Sequence, residues 1–167
     1  DGLGRVKQSV LVEGGGIARQ QNDAQYDWTI GNTGSTGFYN KHGDTSENTI
    51  VNGVTPFGDT DLLWECKPDA NNSADGGWNS DFITIDTSKS YRYSVWVKRT
   101  GSQNGKTYHG IQNVNNLNGT INSNPYFWSG DLPQLDTWYL MVGIVHSASY
   151  SGGDIGVSGV YDLQGNK

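Results

Sequence analysis

A chain of 167 residues can bury one substantial core without covalent staples, so a single domain spanning 1–167 is expected. Its residues are 34% hydrophobic and 17% charged, with 24 glycines, 9 tyrosines and 6 tryptophans, which argues against a helix-rich globule and for many turns and short aromatic strands. A formal net charge of -6 with no basic stripe excludes nucleic acid as a partner, and no apolar run approaches the roughly 20 residues needed for membrane insertion as a helix.

In chain order, "RVKQSVLVEG" predicts the first strand, and the Gly/Asn/Thr-rich stretch that follows predicts a long loop over 14–49. "NTIVNGVTPFGDTDLLWECKP" gives two strands around a Pro/Gly/Asp turn, then a polar loop over 67–80. "DFITID" alternates and predicts a short strand, "TSKS" a turn, and "YRYSVWVKR" a strand. The Asn-Gly of "GSQNGK" predicts a hairpin that returns through "TYHGIQNV" beside that strand. A polar region over 115–134 leads through "YFWSGDLP" to the most apolar strand, in "TWYLMVGIVH", and "SGVYDLQG" supplies a last short strand. Eight or more strands with regular turn signals predict an all-β fold, a two-sheet antiparallel β-sandwich of the jelly-roll kind. The chain opens at "DGLGRV" and closes at "YDLQGNK", which suits a module of an extracellular, cell-surface or virion-borne protein.

Catalytic chemistry finds few residues. The glutamates are Glu13, Glu47 and Glu65, and His42, His109 and His146 lack metal-ligand spacing. No nucleophile elbow or phosphate loop is present. "YHGIQN" and "YFWSG" contain residue types used by jelly-roll polysaccharide lyases without their ordered motifs, so no enzymatic activity is expected. The lone Cys66, inside "LLWEC", is expected to be a buried structural thiol. Oxygen-rich loops suit Ca²⁺ as a structural ion. Its candidate ligands are Asp44 and Glu47 in "KHGDTSEN", together with Glu13 near the first strand and Asp162 near the last.

The aromatic residues mark candidate ligand contacts. Strict alternation in "YRYSVWVK" sends Tyr91, Tyr93, Val95 and Val97 to the core, and Arg92, Ser94, Trp96 and Lys98 to the other face. A tryptophan between two cations offers a sugar ring a stacking plane flanked by donors. The predicted hairpin adds His109 to that face. Trp64 and Trp138 sit in apolar strands and are expected in the core. Trp78, Tyr126 and Trp128 fall in polar loops, as a second stacking site or as plugs.

The stretch "GGWNSDFITIDTSKSYRYSVWVKRTG", with "DLLWECKP" before it and "TWYLMVGIVH" after it, resembles jelly-roll carbohydrate-binding modules of the family 4, 9 and 22 type over residues 62 to 146. The same scaffold occurs in bacterial adhesins and phage tail fibres. The resemblance implies a non-catalytic polysaccharide- or glycan-binding module within a parent enzyme or fibre protein, usually with structural calcium. Arg92, Trp96 and Lys98 would lie on the binding face, and these cations suggest an acidic or sulphated glycan. The alternative is a structural or receptor-binding domain of a fibre or adhesin.

Overall fold

The computed structural model describes residues 7–8, 22–23, 28–32, 39–67, 76–82, 84–102, 106–116, 118–122, 126–152 and 158–167. These residues are mostly strands, with one 3₁₀ turn and no α-helix, so the protein is all-β. None of their helices is long and apolar enough to cross a membrane. The expected first strand is described only at β1 (Lys7–Gln8), which pairs with β2 (Asn22–Asp23). The chain divides into two compact units, one built on Asn22–Thr84 and the other on Ile85–Lys167.

In the first unit, β4 (Asn48–Val54) and β5 (Thr60–Cys66) form the expected hairpin, in register from Asn48↔Cys66 to Val54↔Thr60. Its turn is closed by Thr55, whose carbonyl accepts from the Gly58 amide at 3.2 Å and whose own amide donates to the Asp59 carbonyl at 2.8 Å. Alternation along β4 buries Asn48 and Ile50 on one face. Beside it, the Gly31 amide donates to the Ile50 carbonyl at 2.8 Å and the Ile50 amide to the Asn32 carbonyl at 3.0 Å. β3 (Tyr39–Lys41) pairs with β6 (Trp78–Ser80), so both elements lie inside stretches that the sequence reads as loop. An edge-to-face aromatic cluster fills the interior: Trp28 stands 5.6 Å from Trp64 and 6.5 Å from Tyr39, and Tyr39 stands 4.4 Å from Trp78. Burial pushes the Tyr39 phenol up to about 12.

In the second unit, β7 (Tyr91–Lys98) pairs along its whole length with β12 (Trp138–Val145), which also pairs with β13 (Gly159–Tyr161). β8 (Thr107–Gly110) pairs with β11 (Tyr126–Gly130), and β9 (Val114–Asn115) with β10 (Ile121–Asn122). This corrects the expected hairpin: "TYHG" returns beside β11, not beside β7. The apolar β12 offers β7 a ladder of eight residue pairs, which a local Asn-Gly signal does not outweigh. "DFITID" is also corrected, because 81–82 and 84–86 are not strand and Phe82 is 79% exposed. "TSKS" is the turn expected. There the Asp86 carboxylate accepts from the Ser88 amide at 2.9 Å and its hydroxyl at 2.6 Å, bonds that hold its pKa down near 2.

Candidate functional site

The site starts from the alternation of Thr107–Gly110, which sends Tyr108 outward and His109 inward. On the neighbouring strand, Tyr126 is opposite Gly110 and Trp128 is opposite His109, which leaves Phe127 as an extra residue in a β-bulge. The Phe127 ring stacks on Tyr93 of β7, 6.2 Å between centroids at 17°, and lies over Gly143 of β12. His109 tilts against the same ring at 5.4 Å. The inner face of β8 and β11 therefore packs on the Tyr93 side of the β7–β12 ladder. On the outer face, Tyr108 and Tyr126 are 55% and 52% exposed, with centroids 5.0 Å apart and planes at 45°. Because Gly110 is the residue paired with Tyr126, no side chain stands across the ladder from that ring.

His109 thus sits apart from Trp96, because its placement beside Trp96 depended on the hairpin that does not form. Its Nδ1 is buried with no hydrogen-bond partner among the described residues, and burial pulls its pKa down to about 4. The unfolded chain, with a histidine near 6.5, then binds more protons than the folded chain between these values. Stability is complete above about pH 6.5 and falls as pH drops towards about 4, by about 3 kcal/mol. Chemical denaturation across this range checks it, and His109→Leu should flatten the slope.

Register places Arg92, Trp96 and Lys98 opposite Ile144, Leu140 and Trp138, so the three share one face as alternation requires. That face is not an open platform. Every residue of β7 is half-buried, and Arg92 Nε is buried without a hydrogen-bond partner among the described residues. The Lys98 ammonium lies 5.1 Å from the centroid of the Trp138 ring, a cation–π contact. Trp138 is accordingly half-buried under a cation, not a core residue.

Trp78 opens β6 and packs edge-on against Tyr39, so it belongs to the interior cluster of its unit. Trp128 is half-buried and turns back towards Gly130 on its own strand. Of the aromatic residues singled out in sequence, Tyr126 is the exposed one. Tyr108 was missed, although its signal was present: the alternation that hides His109 exposes its neighbour.

The oxygen-rich loop forms a 3₁₀ turn, Thr45–Glu47, in which the Asp44 amide donates to Glu47 Oε2. Glu47 is 1% exposed, and its Oε1 is buried without a hydrogen-bond partner among the described residues. Asn48 follows. Its Nδ2 donates to the His42 and Asp44 carbonyls at 2.9 and 2.8 Å, and its Oδ1 accepts from Trp64 Nε1 at 2.8 Å and the Gly77 amide at 2.9 Å. Gly76, at φ +82, passes so close that a Cβ there would stand 2.8 Å from the Glu47 carbonyl oxygen. Asp162 belongs to the other unit. Both its carboxylate oxygens are engaged in a turn, Oδ1 by the Gln164 and Asn166 amides and Oδ2 by Asn166 Nδ2. Glu13 lies outside the described residues. Among those described, no three of His, Cys, Asp and Glu group as a metal site. Cys66 keeps an exposed flank at the end of β5, contrary to the buried thiol expected. Its sulfur sits where burial first, then Glu65, pushes the thiol up to about 11.

Fold and site together define an all-β protein with an exposed tyrosine pair on a strand ladder. No protein-family model, curated protein or solved structure matches the chain.

Proposed function

We propose that the chain is a non-catalytic glycan-binding module, a two-sheet jelly roll of an extracellular, cell-surface or virion-borne protein, and that sugar meets it on the outer face of β8 and β11. The observation that carries this reading is the Tyr108–Tyr126 pair. Single exposed apolar residues are ordinary on a protein surface. Two phenol rings 5.0 Å apart, on paired strands backed by Phe127 and His109, form a rigid platform instead. The C–H face of a pyranose stacks on such rings, and phenol hydroxyls exchange hydrogen bonds with its hydroxyls. The two rings already lean on each other, so less side-chain freedom is lost on binding than for an isolated tyrosine.

A glycan array followed by calorimetry tests the reading. Tyr108→Ala and Tyr126→Ala are each expected to weaken binding about tenfold, about 1.4 kcal/mol, at an unchanged melting temperature. Trp96→Ala should behave in the opposite way, keeping affinity and losing about 2 kcal/mol of stability, because its half-buried ring packs in the ladder. A stable oligomer blind to every glycan would overturn the proposal in favour of a fibre or adhesin structural domain.

A structural Ca²⁺ held by Asp44 and Glu47 is part of the same proposal. Its support is Glu47 Oε1, buried and without a hydrogen-bond partner among the described residues, an oxygen donor of the hard type calcium takes. An ion bound only by the native state raises the melting temperature as free calcium rises. A melt unchanged by chelation and by calcium titration would remove the ion.

A further inference from the structure

We infer that the tyrosine platform takes an electrically neutral oligosaccharide, not the acidic or sulphated glycan that the cations of β7 suggest; the inference rests on the glycan-binding reading above. From Thr107 to Gly130, through β8, the β9–β10 hairpin and β11, the chain contains no Asp, Glu, Lys or Arg. The one group there that titrates near neutrality, His109, is held neutral behind the platform by its burial. Recognition of a carboxylate or sulphate relies on charge-assisted donors, above all arginine and lysine. The next charges along the two strands, exposed Lys106 and Asp131, flank the Thr107/Gly130 end with opposite signs, so among the described residues of this strip an anion drawn against the rings would lose hydration and gain no net counter-charge. The chain's net charge of -6 adds no long-range attraction for it.

The β7 cations do not fill that gap. Lys98 is engaged with the Trp138 ring, and Arg92 lies on the ladder face opposite to the one that receives Phe127.

What the strip does offer is neutral hydrogen bonding. The β9–β10 hairpin leaves from the Gly110/Tyr126 end of the ladder and exposes Asn115, Asn116, Asn118 and Thr120. Its side chains are already ordered in a chain. Asn122 Nδ2 donates to Asn116 Oδ1 at 3.1 Å, Asn116 Nδ2 to Thr120 Oγ1 at 2.9 Å, and Thr120 Oγ1 to Asn118 Oδ1 at 2.7 Å. Amides and hydroxyls of this kind are matched donors and acceptors for sugar hydroxyls. The 45° between the two phenol planes suits two successive pyranoses whose ring planes turn relative to each other.

Calorimetry with neutral hexosan and pentosan oligosaccharides, set against oligouronates and sulphated galactan oligosaccharides, tests the inference. The expected result is binding of a neutral oligosaccharide that changes less than about twofold as added salt shortens the Debye length from about 10 Å to about 3 Å. Tyr126→Ala should lose it about tenfold, and Tyr126→Phe, which keeps the ring, should retain most of it. Binding confined to uronate or sulphated oligosaccharides, fading with salt and lost in Arg92→Ala or Lys98→Ala, would overturn the inference and leave glycan binding standing. Absence of binding to any of these probes, with the melting curve showing a folded protein, would overturn both.

Discussion

Gly143→Ala is expected to destabilise the unit built on Ile85–Lys167 by about 3 kcal/mol, the upper end of the usual overpacking cost. The new Cβ would stand inside the envelope of the Phe127 ring. That ring has nowhere to retreat, since Tyr93 stacks on it and His109 leans against it. Gly53→Ala is the matched control. Its Cβ would meet the Leu63 side chain, chiefly the terminal Cδ1, which can rotate aside, so a cost below about 1 kcal/mol is expected. Urea denaturation of both variants measures the contrast. Adding Phe127→Leu to Gly143→Ala should recover about 1 kcal/mol, and strict additivity of the two substitutions would show that the ring is not the obstacle.

Asn48→Ala should cost a similar amount in the other unit, about 3 kcal/mol or more. Three groups lose their partner at once, the Trp64 indole N–H, the Gly77 amide and the His42 carbonyl, and the Asp44 carbonyl keeps only its bond from the Glu47 amide at 3.2 Å. Asn48 itself is buried, so water does not readily replace the lost bonds, and each group left bare adds its own desolvation cost. Asn48→Asp separates hydrogen bonding from shape. A carboxylate can still accept from Trp64 and Gly77, yet it faces two carbonyl oxygens with nothing to donate. It is therefore expected to destabilise at neutral pH at least as much as alanine does. A neutral effect of Asn48→Asp in thermal melts would show that the two carbonyl contacts contribute nothing.

Local patterns were legible where the partner strand was also local. The Pro/Gly/Asp cluster between two strand-like runs specified the β4–β5 hairpin, whereas the faces of "YRYSVWVK" that alternation assigns to core and surface are both half-buried in the ladder with the distant β12. Long-range pairing was not legible. The Asn-Gly signal after β7 described a turn and could not specify that β8 would pair with β11. "DFITID" alternated well, but alternation only assigns faces once a strand has a neighbour. The role of Asn48 was hidden because an asparagine in an Asn-rich chain reads as a turn residue, although its place two residues before the buried Ile50 put it on the inward face. The extra residue at Phe127 was invisible for a related reason: a bulge exists only relative to the register of the opposite strand.

On the glycan-binding proposal, that bulge would also limit how much sugar one copy could hold. Regular alternation would have set Trp128 beside Tyr126 on the outer face; the extra residue instead sets Trp128 opposite His109 and ends the platform at two rings. Two stacked sugar units with a few hydroxyl contacts correspond to a dissociation constant on the order of 1 mM. Lasting retention on a polysaccharide would then come from valency. Several copies carried on one fibre or one parent chain, each meeting another stretch of the same polymer, raise avidity by about 10²-fold or more through effective concentration alone.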